Sequence, residues 1–140
     1  MVRSGPIANA VTTLYDSVLP QQSLCVAGRL RCEPNHDAVS RVQLKLWDID
    51  TWNPDDLMGE TFSESDGRFE FCGSAFDFHE EIEPVLKVYH RCGMVNATEQ
   101  RCYRKLRVQI PLSFVGKTYT FLEDINLADK GENESLECIR

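Results

Sequence analysis

Apolar and polar side chains alternate with a period of two along most of the chain after Leu24, and this pattern restricts the possible folds more than any other feature. From Leu24 to Cys32, every second residue shares one face, whereas Arg29 and Arg31 share the other. A second alternating stretch covers residues 41–47. Successive side chains of a β-strand point to opposite sides of the sheet, so both stretches predict strands with one face in a core.

Seven short strands separated by turn residues are predicted in this way. Ser65-Asp66-Gly67 predicts a hairpin, since glycine accepts the positive φ of a tight turn. Phe78–Ile82 predicts one helical turn, which Pro84 cannot continue. We therefore expect an all-β fold, a two-sheet β-sandwich of seven to eight strands with one short helical turn. The predicted strands are 24–32, 41–47, 58–63, 68–72, 85–90, 103–110 and 118–127.

The length of 140 residues and the 42% of apolar residues suit one domain with an ordinary core. We expect this domain to occupy residues 22–138. Residues 1–21 are expected to form an N-terminal extension, either disordered or a wrongly assigned signal region. Their apolar stretch is interrupted by polar residues, which makes it too weak for a signal peptide.

The net charge of −7 disfavours nucleic acid as a partner, although it leaves room for a local basic patch. No stretch approaches the roughly 18 apolar residues that a transmembrane helix needs, so no transmembrane segment is expected.

Six cysteines predict three disulfide bonds and an oxidising, extracellular compartment. Their spacing contains no C-x-x-C pair, which disfavours zinc, and free buried thiols in a cytosolic protein are the alternative. Six cysteines allow 15 pairings. Two N-x-[ST] sequons make Asn96 and Asn133 candidate glycosylation sites, with unmodified asparagines as the alternative. The disulfide candidates are Cys25, Cys32, Cys72, Cys92, Cys102 and Cys138.

Basic residues concentrate on the fifth and sixth predicted strands and beside them. If those strands pair, the cations gather at one end of one sheet, where guanidinium and ammonium groups suit a phosphate headgroup. The alternative is an ordinary charged strand face that resists aggregation. This ligand-binding candidate set comprises Lys87, Arg91, Arg101, Arg104, Lys105 and Arg107.

Acidic and histidine residues give weaker patterns. Asp48, Asp50, Asp55 and Asp56 are a weak calcium candidate, because their spacing matches no EF-hand and a solvated acidic loop is the default interpretation. No spacing among His36, His79 and His90 indicates a metal site or a base next to a nucleophile. We therefore expect no catalytic residue, metal or cofactor, and interpret His90 as a polar partner of a backbone group or carboxylate.

Taken together, these segments resemble the nematode transthyretin-like family over residues 22–138. The most specific match is Ile82–Cys92, which reads Ile-x-Pro-x-Leu-Lys-x-Tyr-His-x-Cys. The chain departs from the usual pattern at Cys25, Cys72 and Cys102 and in the loop 93–102. The other matching segments are Val26–Cys32, Val42–Asp48, Asp55–Met58, Ser65–Phe69, Lys105–Pro111 and Ile125–Leu127.

The resemblance implies a secreted transthyretin-like (prealbumin-like) sandwich that is not an enzyme. A characterised member of the family binds phosphatidylserine exposed on dying cells and also an engulfment receptor. Relatives on the transthyretin fold that hydrolyse 5-hydroxyisourate carry a C-terminal Tyr-Arg-Gly-Ser signature, whereas this sequence ends at Glu137–Arg140 with different residues. We therefore expect no hydrolysis.

The transthyretin arrangement makes the first and fourth strands antiparallel neighbours, which implies a Cys25–Cys72 disulfide. Cys92–Cys102 would then close the variable loop, and Cys32–Cys138 would tether the charged tail. A free Cys138 that bonds another molecule is the alternative.

The expected function is that of a secreted binding protein for an anionic lipid headgroup or a cell-surface receptor. The alternatives are a carrier of a small hydrophobic ligand at an oligomer interface and an extracellular structural component. The oligomeric state stays open.

Overall fold

A computed structural model describes residues 21–50, 54–76, 82–94, 101–129 and 131–138. Within these ranges the chain forms nine strands and two 3-10 turns, at His36–Val39 and Leu112–Phe114. The strands are β1 (Gln21–Arg31), β2 (Gln43–Asp48), β3 (Asp56–Phe62), β4 (Arg68–Phe76), β5 (Pro84–His90), β6 (Cys102–Gln109), β7 (Thr118–Thr120), β8 (Ile125–Asn126) and β9 (Glu134–Cys138).

The strands build two sheets. One has four strands in the order β4-β1-β7, with β8 also paired to β1, and the other has five in the order β3-β2-β5-β6-β9. In the five-stranded sheet all neighbours are antiparallel. In the four-stranded sheet β7 and β8 run parallel to β1. The predicted all-β two-sheet sandwich is confirmed.

The core lies between the sheets and is built from alternate residues of each strand. Leu24, Val26 and Leu30 of β1 meet Leu44 and Leu46 of β2 in one buried cluster. Leu86 and Val88 of β5 belong to the same cluster. The residues between them face away from the core, so the outer face of the five-stranded sheet is free to carry polar side chains.

The Ser65-Asp66-Gly67 turn forms as predicted, but the expected hairpin does not. Gly67 has a φ of +92°, and a Cβ there would lie 2.4 Å from the carbonyl oxygen of Leu30. The flanking strands then diverge, because β3 pairs with β2 and β4 pairs with β1. The turn therefore carries the chain from one sheet to the other.

The C-terminal third differs most from the prediction. The expected strand 118–127 is divided into β7 and β8, which pair with two separate segments of β1. The tail, predicted to be held only by its cysteine, contains β9 on the edge of the five-stranded sheet. The strand count therefore exceeds the predicted seven to eight.

Three disulfides use all six cysteines. Cys25–Cys72 is confirmed, since the two residues are direct partners in the β1–β4 register. The predicted pairs Cys92–Cys102 and Cys32–Cys138 are wrong, as is a free Cys138: the bonds are Cys32–Cys92 and Cys102–Cys138.

The register explains both corrections. Cys102 and Cys138 face each other across β6 and β9, a pairing that requires the missed strand. Cys32 follows β1 and Cys92 follows β5, so their bond joins the two sheets, and both residues are buried.

Two further predictions lie almost entirely outside the described residues. They are the extension at residues 1–21, of which Gln21 begins β1, and the helical turn over Phe78–Ile82, of which Ile82 lies in no helix or strand.

Candidate functional site

The outer face of the five-stranded sheet carries a row of three cations on three neighbouring strands. Lys45 of β2 is opposite Lys87 of β5, and Lys87 is opposite Arg107 of β6. Directly paired residues project from the same side of a sheet. We call these three residues the cationic row. Lys105 lies on the same face, two residues before Arg107, and the cationic row together with Lys105 is called the cationic face.

Aromatic rings lie beneath the lysines. The Lys87 ammonium is 5.2 Å from the centre of the Trp47 ring, and the Lys45 ammonium is 5.4 Å from the Tyr89 ring and 5.9 Å from that of Trp47. Ammonium groups at this distance are attracted to the ring face. The Tyr103 ring packs edge-on against the Tyr89 ring, with 5.6 Å between the ring centres, and so enlarges this aromatic group. The rings thus hold the flexible lysines against the sheet.

The cationic row forms no close ion pair in the described part of the chain. Within the described ranges, no carboxylate oxygen lies within 4 Å of the charged groups of Lys45, Lys87 or Arg107. Lys105 differs, because it forms an ion pair with Glu137. An anion that approaches the face would therefore meet three cations that are not engaged in a close ion pair.

The mutual repulsion of these cations affects the protonation of Lys87. Burial lowers its pKa below the usual 10.5, and the charges of Lys105 and Arg107 lower the pKa further. Asp55 and Glu137 act in the opposite direction. A bound anion would relieve the repulsion.

A cleft of about 480 Å³ borders the face at its β6 end. The groups that line it are mostly polar, with Arg107 and Lys105 on one wall and the segment 132–135 on the other. The backbone N–H of Arg107 donates to the carbonyl of Asn133, which fixes that segment against β6. Amide, hydroxyl and cationic donors therefore converge beside the row. The lining residues are Val85, Lys105, Arg107, Gln109, Glu132, Asn133, Glu134 and Ser135.

Only part of the predicted basic set comes together. Lys87, Lys105 and Arg107 share the cationic face, whereas Arg101 is exposed just before β6. Arg91 follows β5 and donates from its guanidinium to the carbonyl of Cys102.

Arg104 was wrongly placed in the ligand-binding set. It alternates to the opposite side of β6 from Lys105, and only 5% of it is exposed. Lys45 was absent from the predicted ligand-binding set. Its position on the outer face of β2 was visible, but its contact with Lys87 depends on the β2–β5 register.

Arg104 belongs to a buried polar cluster with Glu134 and His90. Glu134 Oε1 accepts from Arg104 Nε at 3.0 Å and Nη2 at 2.5 Å, and its other oxygen lies 3.0 Å from His90 Nε2. Arg104 also donates to the carbonyls of Cys92 and Asp129. This cluster attaches β9 to β5 and β6 on the inner side of the sheet.

His90 is neutral in this cluster. The Cys92 N–H donates to His90 Nδ1, so Nε2 carries the proton and donates to Glu134. Burial lowers the pKa of His90 below its usual value, and the nearby charge of Arg104 lowers it too. The hydrogen bond to Glu134 and the charge of that residue raise this pKa, but they do not outweigh burial. With the side chain fully buried and both nitrogens engaged, His90 serves as a structural partner.

The acidic calcium candidates lie near one another, with Asp48 opposite Asp56 in the β2–β3 register, but they form no metal site in the described part of the chain. Asp48 is buried and accepts from the Glu83 N–H at 2.9 Å, while Asp55 accepts from the Asp50 N–H. Among the described residues, no group of three or more His, Cys, Asp or Glu side chains is arranged to hold a metal ion. Asp56 begins β3.

The remaining candidates are placed as follows. His36 is exposed in the first 3-10 turn, and Asn133 is exposed in the turn before β9. His79 and Asn96 lie outside the described residues. No helix in the described ranges has the length and apolarity to cross a membrane.

Comparison with known proteins identifies the family. A sequence model described as TTR-52, transthyretin-like family, matches residues 27–111, which is more than half of the chain. Transthyretin-like protein 46 of Caenorhabditis elegans is 32% identical over 100 residues, covering 71% of this chain; the match spans about half (53%) of that relative. Transthyretin-like protein 5 of the same organism is 33% identical over 139 residues, covering 92% of this chain and 93% of the relative.

One solved structure, a 9R-lipoxygenase from Cyanothece, matches with a TM-score of 0.45 and 18% identity, over 88% of this chain and 20% of that one. This likeness is too low to support an argument. The sequence matches are sufficient, and the chain belongs to the transthyretin-like family.

Proposed function

We propose that this protein is secreted and acts by binding, without catalysis. In this proposal the cationic face recognises an anionic group displayed at a cell surface, on a lipid headgroup or on a receptor. The observation that carries it is the alignment of Lys45, Lys87 and Arg107 on one face, with no carboxylate within ion-pair distance in the described ranges. Such an alignment is notable in a chain with a net charge of −7.

The electrostatics of the face support anion binding over a merely solvated surface. Three like charges on adjacent strands repel one another and destabilise the sheet, unless a ligand neutralises them. The rings of Trp47 and Tyr89 hold the lysines in place, so less side-chain entropy is lost when an anion binds.

Secretion is supported by the three disulfides, since such bonds persist in oxidising compartments. Binding without catalysis is supported by His90, whose two ring nitrogens are occupied inside the protein. Secretion with oxidised cysteines can be tested by comparing the mass of protein isolated from its native source before and after reduction. Six reduced sulfurs in the native protein would contradict it.

Two anionic probes test the binding surface: phosphatidylcholine vesicles with and without phosphatidylserine, and immobilised heparin. The variant Lys87→Glu/Arg107→Glu reverses two charges of the row. Each cation near an anionic surface contributes about 1 kcal/mol, so we expect affinity for a bound probe to fall at least about 30-fold.

The control Arg31→Glu/Lys117→Glu makes the same charge change at exposed positions outside the face. We expect it to retain most of the affinity. Absence of binding to both probes, or equal losses in the two variants, would contradict the proposal.

A further inference from the structure

The three cations form a straight line that crosses the strands. Neighbouring strands lie about 4.8 Å apart, so the row from Lys45 through Lys87 to Arg107 spans about 10 Å. The line is one residue wide along most of its length. It is broadened by Lys105 at the β6 end.

Carboxylates border this line. Glu60 of β3 is the direct partner of Lys45 and stands at one end of the row. Glu132 lines the cleft at the other end, and Glu137 pairs with Lys105. Asp55 is close enough to Lys87 to raise its pKa. The positive surface is therefore a narrow strip within an acidic margin.

The shape of this strip distinguishes between a membrane and a chain-like ligand. Charges interact appreciably within about 8 Å at physiological ionic strength. A planar anionic membrane that touches the row would also approach the surrounding carboxylates of a protein with a net charge of −7. A linear polyanion that follows the row would meet the cations and pass between the carboxylates. The strip therefore favours the linear ligand.

The surroundings of the row suit a sugar polymer. Gln109 and Ser135 line the cleft beside Arg107 and offer an amide and a hydroxyl group to sugar hydroxyls. Guanidinium and ammonium groups provide the charge-assisted hydrogen bonds that sulfate oxygens accept.

We propose that the cationic row binds a linear sulfated polysaccharide, which lies across the strands with one part in the cleft beside Arg107. This inference rests on the proposed function and specifies its ligand class. It predicts that binding depends on sulfation and on the row as a unit. It also predicts little attraction to an anionic bilayer.

The experiment measures equilibrium binding of the full secreted protein to three probes. They are a heparin-derived octasaccharide, the same octasaccharide after chemical desulfation, and phosphatidylserine-containing vesicles. The test variant is Lys45→Gln/Lys87→Gln/Arg107→Gln. The control variant Arg31→Gln/Arg68→Gln/Lys117→Gln removes three exposed cations elsewhere. Circular dichroism and thermal unfolding verify that both variants fold.

We expect wild-type protein to bind the sulfated octasaccharide more tightly than the other two probes. Neutralising the row should weaken this binding about 100-fold, at about fivefold per cation, and the control should change it by less than about fivefold. The slope of log Kd against log salt concentration should fall by about one unit for each cation removed, as it does when proteins lose contacts to nucleic-acid phosphates.

The remaining outcomes separate the two proposals. Row-dependent binding to vesicles but not to the octasaccharide would overturn the polysaccharide inference and leave the proposed function standing. Binding of the desulfated probe at equal affinity would also overturn the inference. Binding to neither anionic probe, or equal losses in test and control variants, would overturn both proposals.

Discussion

Replacing Glu134 by glutamine should reveal how strongly the buried cluster holds the last strand. The side chains of Glu134 and Arg104 are each only 7% exposed, and that of His90 is fully buried. The substitution keeps the shape but removes the charge that compensates Arg104. It also sets an amide N–H₂ or a weaker acceptor against His90 Nε2–H, whose proton is fixed because Cys92 N–H donates to Nδ1.

The expected loss is about 3 kcal/mol in the free energy of unfolding, because breaking a buried ion pair leaves an uncompensated charge. Urea unfolding at pH 7 under oxidising conditions measures it. The control Arg104→Met/Glu134→Gln removes both charges together and keeps the position-134 amide of the single variant, and we expect it to recover at least half of the loss. A loss below about 1 kcal/mol for Glu134→Gln, or a double variant less stable than the single one, would refute the role of this cluster.

Three further predictions follow from other parts of the structure. Because burial lowers the pKa of His90 below 6.5, the unfolded state binds a proton first as the pH falls. As the pH falls below about 6.5, the free energy of unfolding should therefore decline by at most ~1.4 kcal/mol per pH unit, until His90 of the folded state also takes up a proton. Urea midpoints from pH 8 to 5 should show this component in wild type and not in His90→Gln; identical profiles would contradict it. Gly59→Ala places a Cβ 2.5 Å from a carbonyl oxygen of β4 and should cost about 1–3 kcal/mol, whereas Gly131→Ala, with nothing within 4 Å, should stay within about 0.5 kcal/mol; equal effects in thermal unfolding would contradict this packing. Asn133 is exposed beside the cleft, so we expect a glycan there that hinders the cationic row. Asn133→Gln should lose one glycan mass and bind the sulfated octasaccharide more tightly, and an unchanged mass would rule the modification out.

The alternation of side chains carried most of the fold prediction. Leu24, Val26, Leu30, Leu44 and Leu46 were expected inside and form the core, because a period of two leaves one choice of buried face for each strand. Cys25–Cys72 was instead implied by the resemblance to the transthyretin-like family, whose arrangement makes the first and fourth strands neighbours.

The strand β9 could not be predicted from the same pattern. Leu136 is its apolar residue, and it is 61% exposed, so the segment shows no buried face. Its position depends on backbone pairing with β6 and on the contacts of Glu134, a residue that in sequence reads as a solvated carboxylate. Without β9, the partner of Cys102 was also missed.

The unpredicted strand β9 also explains why Arg104 was wrongly assigned to the ligand-binding set. Arg104 is one of several basic residues on β6, and alternation alone places it on the side opposite Lys105 and Arg107. Burying a guanidinium is costly unless a partner is present, and the partner comes from β9. Lys45 joined the site through strand register, a long-range property that one sequence does not specify.

The most direct test of the account is to map the ligand contact on the protein itself. Titration of ¹⁵N-labelled protein with the sulfated octasaccharide should shift the amide resonances of β2, β5 and β6, with the largest changes around Lys45, Lys87 and Arg107. Changes centred on β1 and β4 of the other sheet, or no changes at all, would contradict the assignment of the binding surface to the cationic face.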